Sequence, residues 1–190
     1  MKINSYIVIK NIVIVSAIAM FFSCKNSTQQ VRDFLAEKNM PIGVAKDAHH
    51  VYKDSGVITS KLITPLLRDF SNRKEHPYNE FPEGVKIINF ENNGKDSVTV
   101  IGDYALSYTK TAISEIKGNV VVINHTENSR LETEQLFWDQ KTKYFFSEKK
   151  FILIKLKDTT RGFGFESKEN LSKWVSKNVT GEFDVKENEI

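Results

Sequence analysis

Apolar and polar residues alternate in short runs over most of the chain beyond residue 51. These runs are rich in Val, Ile, Phe, Thr and Tyr, and clusters of Gly, Asn, Asp and Lys separate them. Such a texture predicts an all-β fold, and Asn92, Asn93 and Gly94 predict a hairpin turn because Asn and Gly tolerate positive φ. The predicted strands cover residues 57–63, 85–90, 97–108, 119–124, 130–138, 144–147, 151–156, 161–166 and 181–185.

One segment of this region has a helical pattern instead of a strand pattern. In residues 167–177, Leu171, Trp174 and Val175 fall on one helical face, and Ser167 is placed to cap the first turn. We therefore predict a helix over this segment.

The strand region contains an internal repeat with an offset of 31 residues. Residues 100–123 and 131–154 match in kind along their length. A repeating β unit of roughly thirty residues predicts stacked hairpins that share a continuous core. We therefore expect an elongated fold.

The amino terminus has the pattern of an export signal. Lys2 and Lys10 precede an apolar run over residues 12–22, in which Ser16 is the one polar residue. This run is well short of the roughly 20 residues that a membrane-spanning helix needs. We therefore predict a signal peptide over residues 1–23 and not a permanent transmembrane segment.

Cys24, the only cysteine in the chain, follows the apolar run directly, and the composition turns polar at Lys25. This arrangement resembles a bacterial lipobox, in which the thiol receives a diacylglyceryl group and cleavage occurs before the cysteine. Two or more acyl chains give stable membrane anchoring, whereas one chain binds only marginally. The alternative is a generic signal peptide with an incidental cysteine. We predict that Cys24 is lipidated.

Residues 24–50 are predicted to be a lipidated tether, which lifts a single β domain of residues 51–190 off the bilayer. Within the tether, Val31, Phe34 and Leu35 have helical spacing, so we expect a short amphipathic helix there. Removing the leader takes two of the 27 basic residues and none of the 24 acidic ones, which leaves a nearly neutral chain. No basic stripe with interleaved aromatics stands out, so nucleic-acid binding is not predicted.

Candidate metal ligands are few and poorly spaced. His49, His50, His76 and His125 include no i, i+4 helical pair of the kind that a zinc site uses. No cysteine remains as a ligand or nucleophile if Cys24 is lipidated. We expect no metal and no cofactor.

Two carboxylates offer the main argument for catalysis. Glu132 and Glu134 alternate on one predicted strand and so share a face, as paired carboxylates do in glycosidases. A carbohydrate-processing lipoprotein is therefore one alternative function. The expected role of both side chains is a solvated outer face, and we predict no enzymatic activity.

The residue pattern leaves two forms of the β core open. In one, the medium-sized apolar residues of the central strands fill a closed core, as buried apolar residues commonly do. In the other, the same residues line a trough, while the bulky aromatics at residues 137–138 and 145–146 pack its corners. The parity of each strand decides which residues face inward, because a slip of one residue moves every side chain to the other face.

Several short sequence blocks follow one another in a specific order. They are Asp54-Ser55-Gly56, residues 77–85 (PYNEFPEGV), Asp103-Tyr104-Ala105, residues 118–122 (GNVVV), residues 131–139 (LETEQLFWD) and residues 162–167 (GFGFES). In the order and spacing of these blocks, the chain from Tyr52 to Val185 resembles the LptC family of lipopolysaccharide export proteins. The resemblance implies a twisted, V-shaped or jelly-roll pair of sheets with an open apolar groove, and it favours the trough over the closed core.

The resemblance also implies a ligand, lipopolysaccharide, whose acyl chains lie in the groove while its sugars stay in water. Each buried CH₂ group is worth roughly 0.8 kcal/mol, so an apolar lining lowers the free energy of the lipid in the periplasm. The lining residues that we predict are Ile58, Leu62, Val120, Val122, Leu131, Thr133, Phe151 and Leu153.

Two protein partners are implied by the same resemblance. One is the inner-membrane ABC transporter that supplies the work, and the other is an LptA-like periplasmic bridge protein. Both would dock on exposed strand edges by strand addition. The edge residues that we predict are Val57, Thr59 and Lys61 near the amino terminus, and Gly181, Phe183 and Val185 near the carboxy terminus.

The expected location is the periplasmic side of the inner membrane, with outer-membrane sorting as the alternative. Many family members keep a transmembrane helix, and this chain is predicted to carry a lipid anchor instead. The main alternative function is a structural envelope lipoprotein with a closed β core and no lipid ligand. It shares the anchor, the strands and the repeat, but it needs no continuous apolar interior.

Overall fold

The structure is a computed structural model that describes residues 28–156 and 158–182. Within these ranges the chain forms a helix, α1 (Thr28–Glu37), and eleven antiparallel strands. The strands are β1 (Gly43–Asp54), β2 (Val57–Phe70), β3 (Tyr78–Phe81), β4 (Val85–Glu91), β5 (Asp96–Gly102), β6 (Tyr104–Tyr108), β7 (Ile113–Asn124), β8 (Ser129–Asp139), β9 (Tyr144–Lys155), β10 (Asp158–Lys168) and β11 (Trp174–Glu182).

The strands form one continuous antiparallel meander. β3 and β4 lie end to end along β2, because β2 pairs with β4 over residues 60–63 and with β3 over residues 68–70. β6 and β5 lie end to end along β7 in the same way. The short strands are therefore halves of long strands that are interrupted near their middle.

A row of interruptions crosses the whole sheet and bends it. The pairing register shifts within β7, β8 and β10, and Asp103 separates β5 from β6. Bulges of this kind bend a strand and increase its twist. Gly102 lies in the same row, where a Cβ atom would collide with the side chain of Ile116. The bend thus brings neighbouring strands too close for a side chain at this position.

The bend divides the sheet into two parts, which we call half-sheet A and half-sheet B. Half-sheet A contains β4, β5 and residues 57–63, 120–124, 129–133, 151–155, 158–163 and 178–182 of the longer strands. Half-sheet B contains β3, β6 and residues 68–70, 113–117, 137–139, 144–147, 165–168 and 174–176. Buried side chains of both halves belong to one core cluster, so the halves face each other as the two sides of a V.

The hydrophobic core lies inside the V. In half-sheet A, Leu131 pairs with Val122 on one side and with Leu153 on the other, and in half-sheet B, Ile116 pairs with Leu136. All five side chains are buried. Full burial of a side chain of this size stabilises the fold by about 1.5–3 kcal/mol, so these rows hold the two halves together.

Buried hydroxyl groups satisfy backbone carbonyls along the bend. The Ser147 hydroxyl donates a hydrogen bond to the carbonyl of Gln135 at 2.6 Å, and the Thr64 hydroxyl donates to the carbonyl of Gly84 at 2.8 Å. A bulge leaves ladder groups unpaired, and a buried unpaired carbonyl is costly. These side chains therefore explain how the bend is tolerated inside the protein.

Helix α1 docks against the turn that follows β2. The Arg73 guanidinium donates to the carbonyl of Ala36 and to the side-chain oxygen of Asn39, both at 2.6 Å, and so satisfies groups at the end of the helix. The predicted helix in this segment is confirmed. Its apolar residues Val31 and Phe34 remain 52% and 56% exposed.

The prediction of a helix over residues 167–177 is wrong. β10 continues to Lys168, and a turn over residues 169–173 leads into β11. Trp174 pairs with Ser167 in the β10–β11 ladder, and the Ser167 hydroxyl donates to the carbonyl of Lys173 at 3.0 Å instead of capping a helix. Ladder hydrogen bonds and burial of Leu171 outweigh the local helical period.

The sheet begins earlier than the predicted end of the tether. Residues 43–50 form the first part of β1, which pairs with β2 along its length. Ala48 is the buried side chain of β1, so an alternating pattern is absent from its sequence. Two predicted strands, 144–147 and 151–156, are parts of the single strand β9.

Candidate functional site: the interior between the half-sheets

The interior near the carboxy-terminal strands is packed closed. Five of the predicted lining residues, Val120, Val122, Leu131, Phe151 and Leu153, have exposures of 0–2%. They face the inside of the V. Val120 pairs with Thr133 and Thr133 pairs with Phe151, and paired residues on neighbouring strands point to the same face of the sheet. In this part of the molecule the expected open trough is instead a filled core.

Thr133 has a structural role at the bend. Its side chain is buried, and its hydroxyl donates a hydrogen bond to the carbonyl of Lys150 at 2.8 Å. This bond ties β8 to β9 where their register shifts. The residue thus contributes a satisfied polar group to the interior and not an apolar surface.

The interior near β2, β3 and β4 holds a cavity of about 580 Å³. Leu62 and Ile87 line it from half-sheet A, and Phe81 and Trp138 line it from half-sheet B. Its size falls within the range of roughly 300–1,000 Å³ that is typical of ligand pockets. Ile58, another predicted lining residue, is partly buried but lies outside this lining. Polar residues that also line the cavity are Ser60, Asn79, Asn89, Ser107 and Gln140.

A charged cluster lies at the mouth of this cavity, farthest from the bend. Glu91 ends β4 in half-sheet A, whereas Lys143 and Glu169 lie in turns at the end of half-sheet B. The ammonium nitrogen of Lys143 is 2.9 Å from Oε1 of Glu91 and 3.8 Å from Oε1 of Glu169. The indole N–H of Trp138 donates to Oε2 of Glu169 at 3.2 Å. These contacts join the two half-sheets across the mouth.

Burial controls the protonation of Glu169. Removal from water raises the pKa of its carboxyl group, and the opposing effects of Lys143 and Trp138 do not cancel this shift. The hydrogen bond to Glu91 raises the pKa of Lys143. The mouth therefore combines an ammonium group held in its charged form with a carboxylate that is costly to ionise.

A second hollow, of about 870 Å³, lies largely on the outer face of half-sheet A. Val121, Ile152 and Phe163 contribute apolar surface, and Arg130 and Arg161 contribute guanidinium groups. No sequence motif predicts this hollow, because most of its residues alternate along their strands with buried ones.

Among the candidate catalytic residues, Glu132 and His125 lie close to neighbouring side chains, and Glu134 is exposed. Oε1 of Glu132 accepts a hydrogen bond from Nε of Arg130 at 2.6 Å, and Glu134 is exposed. Nε2 of His125 is 2.8 Å from the hydroxyl oxygen of Thr99. Within residues 28–156 and 158–182, no group of three or more His, Cys, Asp or Glu side chains is placed to hold a metal ion.

Among the described strands, the free edges of the sheet are β1 and β11. The assignment of Val57, Thr59 and Lys61 to an edge strand is wrong, because β2 pairs with β1 on one side and with β3 and β4 on the other. This error follows from the predicted tether, which includes residues 43–50 of β1. Gly181 lies in the edge strand β11, whereas Phe183 and Val185 lie outside the described residues, as does Cys24.

Comparison with known proteins identifies the family of this chain. In the part of the chain that the structure describes, no helix is long and apolar enough to cross a bilayer. No curated protein matches the chain. A family model described as lipopolysaccharide-assembly, LptC-related, matches residues 12–183 of the 190 residues. This family consists of transport components on the periplasmic side of the envelope and is not an enzyme family. The chain therefore belongs to the LptC-related family of lipopolysaccharide-assembly proteins and has a role in lipopolysaccharide transport.

Proposed function

We propose that the chain receives lipopolysaccharide from an inner-membrane ABC transporter, shelters its acyl chains between the half-sheets and passes it to an LptA-like bridge protein. The observation that carries this proposal is the cavity lined by Leu62, Phe81, Ile87 and Trp138. Apolar side chains from both half-sheets face this space, as the binding of acyl chains would require.

The cavity matches the chemistry of a lipid whose two ends differ. Acyl chains would lie against the apolar lining, and each CH₂ group removed from water would contribute roughly 0.8 kcal/mol. The sugars and phosphates would remain in water beyond the mouth, where Lys143 and Glu91 are located. No bond in the lipid needs to be made or broken, so the carrier acts without catalysis.

Entry and exit would occur at the two sheet edges. β1 and β11 each pair with a single neighbour among the described strands, so each presents unpaired backbone groups to a partner. Strand addition at such edges would extend the V from one protein to the next. We assign the transporter to β1 and the bridge protein to β11. Photo-crosslinking should trap the transporter from Val51 and the bridge protein from Val179, which are both exposed.

The membrane anchor would be the lipid on Cys24, on the periplasmic side of the inner membrane. Helix α1 begins a few residues after this cysteine and is tied to the sheet through Arg73. A lipidated Cys24 would therefore keep β1 close to the bilayer, where its partner transporter is located. Loss of acylated peptide in a Cys24→Ser chain, measured by mass spectrometry, tests this assignment.

Lipid binding can be tested with two adjacent isoleucines on β4. Ile87 lines the cavity, and Ile88 points to the opposite face because side chains alternate along a strand. We expect the full chain, purified from lipopolysaccharide-producing cells, to carry lipopolysaccharide. The Ile87→Asp variant should lose most of it, and the Ile88→Asp variant should retain it. Mass spectrometry of the extracted lipid gives the bound amount per protein.

Two results would contradict the proposal. A wild-type chain that carries no lipopolysaccharide would favour the structural lipoprotein with a closed core, a function that the packing of Val122 and Leu131 suits. Equal loss in both aspartate variants would show that the cavity is not the binding site.

A further inference from the structure

The turn between β10 and β11, residues 169–173, inserts a side chain into the interior. Leu171 lies at the centre of this turn, has an exposure of 0% and belongs to the core cluster between the half-sheets. Connecting segments normally run over the surface. This one instead places Glu169 at the mouth and the side chain of Leu171 inside the V.

The backbone of Leu171 is held in an unfavourable conformation. Its φ is 57°, in the left-handed region that crowds the Cβ atom of an L-residue. Among the non-glycine residues with positive φ in the described ranges, Leu171 is the one whose side chain is buried. Such conformations persist where the surroundings enforce them, and they are common in segments that move.

The contacts that hold the turn closed come from the opposite half-sheet. The side-chain amide of Asn124 donates to the carbonyl of Asn170 at 2.7 Å, and the ammonium of Lys155 donates to the carbonyl of Leu171 at 2.6 Å. Within the turn, the backbone N–H of Leu171 donates to the carbonyl of Lys168 at 2.9 Å. Water can replace the two cross-mouth bonds when the turn moves, and the turn keeps its internal bond.

Leu171 belongs to the same core cluster as Phe81 and Trp138, which line the cavity. Glu169, the first residue of the turn, lines the cavity together with its hydrogen-bond partner Trp138. Beyond them the interior is filled by the core of β7, β8 and β9. The turn thus reaches the cavity through Glu169 and the packed core through Leu171.

We propose that the space occupied by Leu171 is a subsite for one acyl chain of the carried lipid, and that the turn 169–173 swings out when the lipid enters. The inference rests on the proposed function of the interior. An apolar side chain and an acyl chain compete for the same space, so one replaces the other with little change in buried apolar area. Movement of the turn extends the cavity toward the bridge-protein edge.

Hydrogen exchange of the full chain tests this directly. The protein is incubated with and without purified short-sugar lipopolysaccharide, and the exchange of amides in residues 169–173 is followed by mass spectrometry. The proposal predicts that loading speeds exchange in this turn, while exchange in β4 slows or stays unchanged because the lipid covers the strand. Unchanged or slower exchange in the turn, with lipopolysaccharide bound, overturns the proposal.

A matched pair of variants provides an independent readout. Leu171→Ala empties the subsite, whereas Leu131→Ala removes a leucine that is equally buried but lies within a strand. If Leu171 competes with lipid, the first variant binds lipopolysaccharide more tightly, by up to about tenfold, and the second does not. Tighter binding by neither variant argues against competition, even if both remain folded.

The two tests separate this inference from the proposed function. A wild-type chain that binds no lipopolysaccharide removes the proposed function and the subsite with it. A different result removes only the subsite. In that case Ile87→Asp loses lipopolysaccharide, but the exchange of residues 169–173 does not speed up on loading and Leu171→Ala does not bind lipopolysaccharide more tightly. The proposed function then stands.

Discussion

The ammonium nitrogen of Lys143 lies 2.9 Å from Oε1 of Glu91, although the two residues belong to opposite half-sheets. The pair closes the V at the end where the cavity reaches the surface. The two residues are 52 positions apart in the sequence, so no local sequence motif predicts the pair. The mouth is therefore defined by the fold and not by a sequence pattern.

Breaking this pair should change access to the cavity more than stability. The Lys143→Met substitution keeps the aliphatic stem and removes the charge. Exposed ion pairs contribute about 0–1 kcal/mol, so we expect a small shift in the melting temperature. The Lys143→Met variant should bind more of an environment-sensitive apolar dye than the wild type, because the cavity becomes more accessible.

The control is Lys177→Met, which removes a lysine that is 2.6 Å from Glu148 on the outer surface. Its dye binding should equal that of the wild type. An equal rise in both variants would show that the effect has nothing to do with the mouth.

Glu169 should make stability depend on pH in a predictable direction. Burial raises its pKa above the ordinary value of 4.5, so the folded protein binds this proton more tightly than the unfolded chain does. The free energy of unfolding should therefore fall as the pH rises from about 4.5 toward neutrality. The Glu169→Gln substitution should flatten this part of the profile, measured by urea unfolding between about pH 5 and pH 7. A profile unchanged by the substitution would contradict the assignment.

The packed part of the interior should behave as a hydrophobic core. We expect Leu131→Ala to lower the free energy of unfolding by about 2–5 kcal/mol, because it leaves a cavity among fully buried neighbours. The adjacent Glu132→Ala change should stay within about 0.5 kcal/mol. Chemical denaturation measures both. A small effect at Leu131 would mean that this part of the V is loosely packed.

Gly102 should be required by the bend. A Cβ atom there would collide with Cγ2 of Ile116, so we expect Gly102→Ala to cost about 1–3 kcal/mol. The cost should shrink when Ile116 is also changed to Ala, which a double-mutant cycle detects. Gly43→Ala is the control, because its added Cβ would meet the nearest atom at an ordinary distance of 3.7 Å.

Features that depend on local chemistry could be predicted from the sequence. Alternation predicted strands at the positions of β2 and of β4 to β10, the residue types of Asn92, Asn93 and Gly94 predicted the turn, and helical spacing predicted α1. The repeat and the sequence blocks indicated the family that the family model confirms. The inward parity of Val120 and Val122 also follows from alternation, since both are buried and Val121 is less so.

Features that depend on pairing across the sheet could not be predicted in the same way. β1 was not predicted, because an edge strand with a single buried side chain has no alternating pattern of apolar and polar residues. Residues 167–177 have a helical period, but Trp174 is fixed by its pairing with Ser167. The cavity, the Lys143–Glu91 pair and the insertion of Leu171 all follow from how the half-sheets meet.

Photo-crosslinking in living cells determines whether lipid lies between the half-sheets. A photoreactive residue is placed at Ile87, which faces the cavity, and separately at Ile88, which faces away. We expect a lipopolysaccharide adduct from position 87 and none from position 88. An adduct from position 88 alone, or none from either while the protein is abundant and its partners are present, would contradict this expectation.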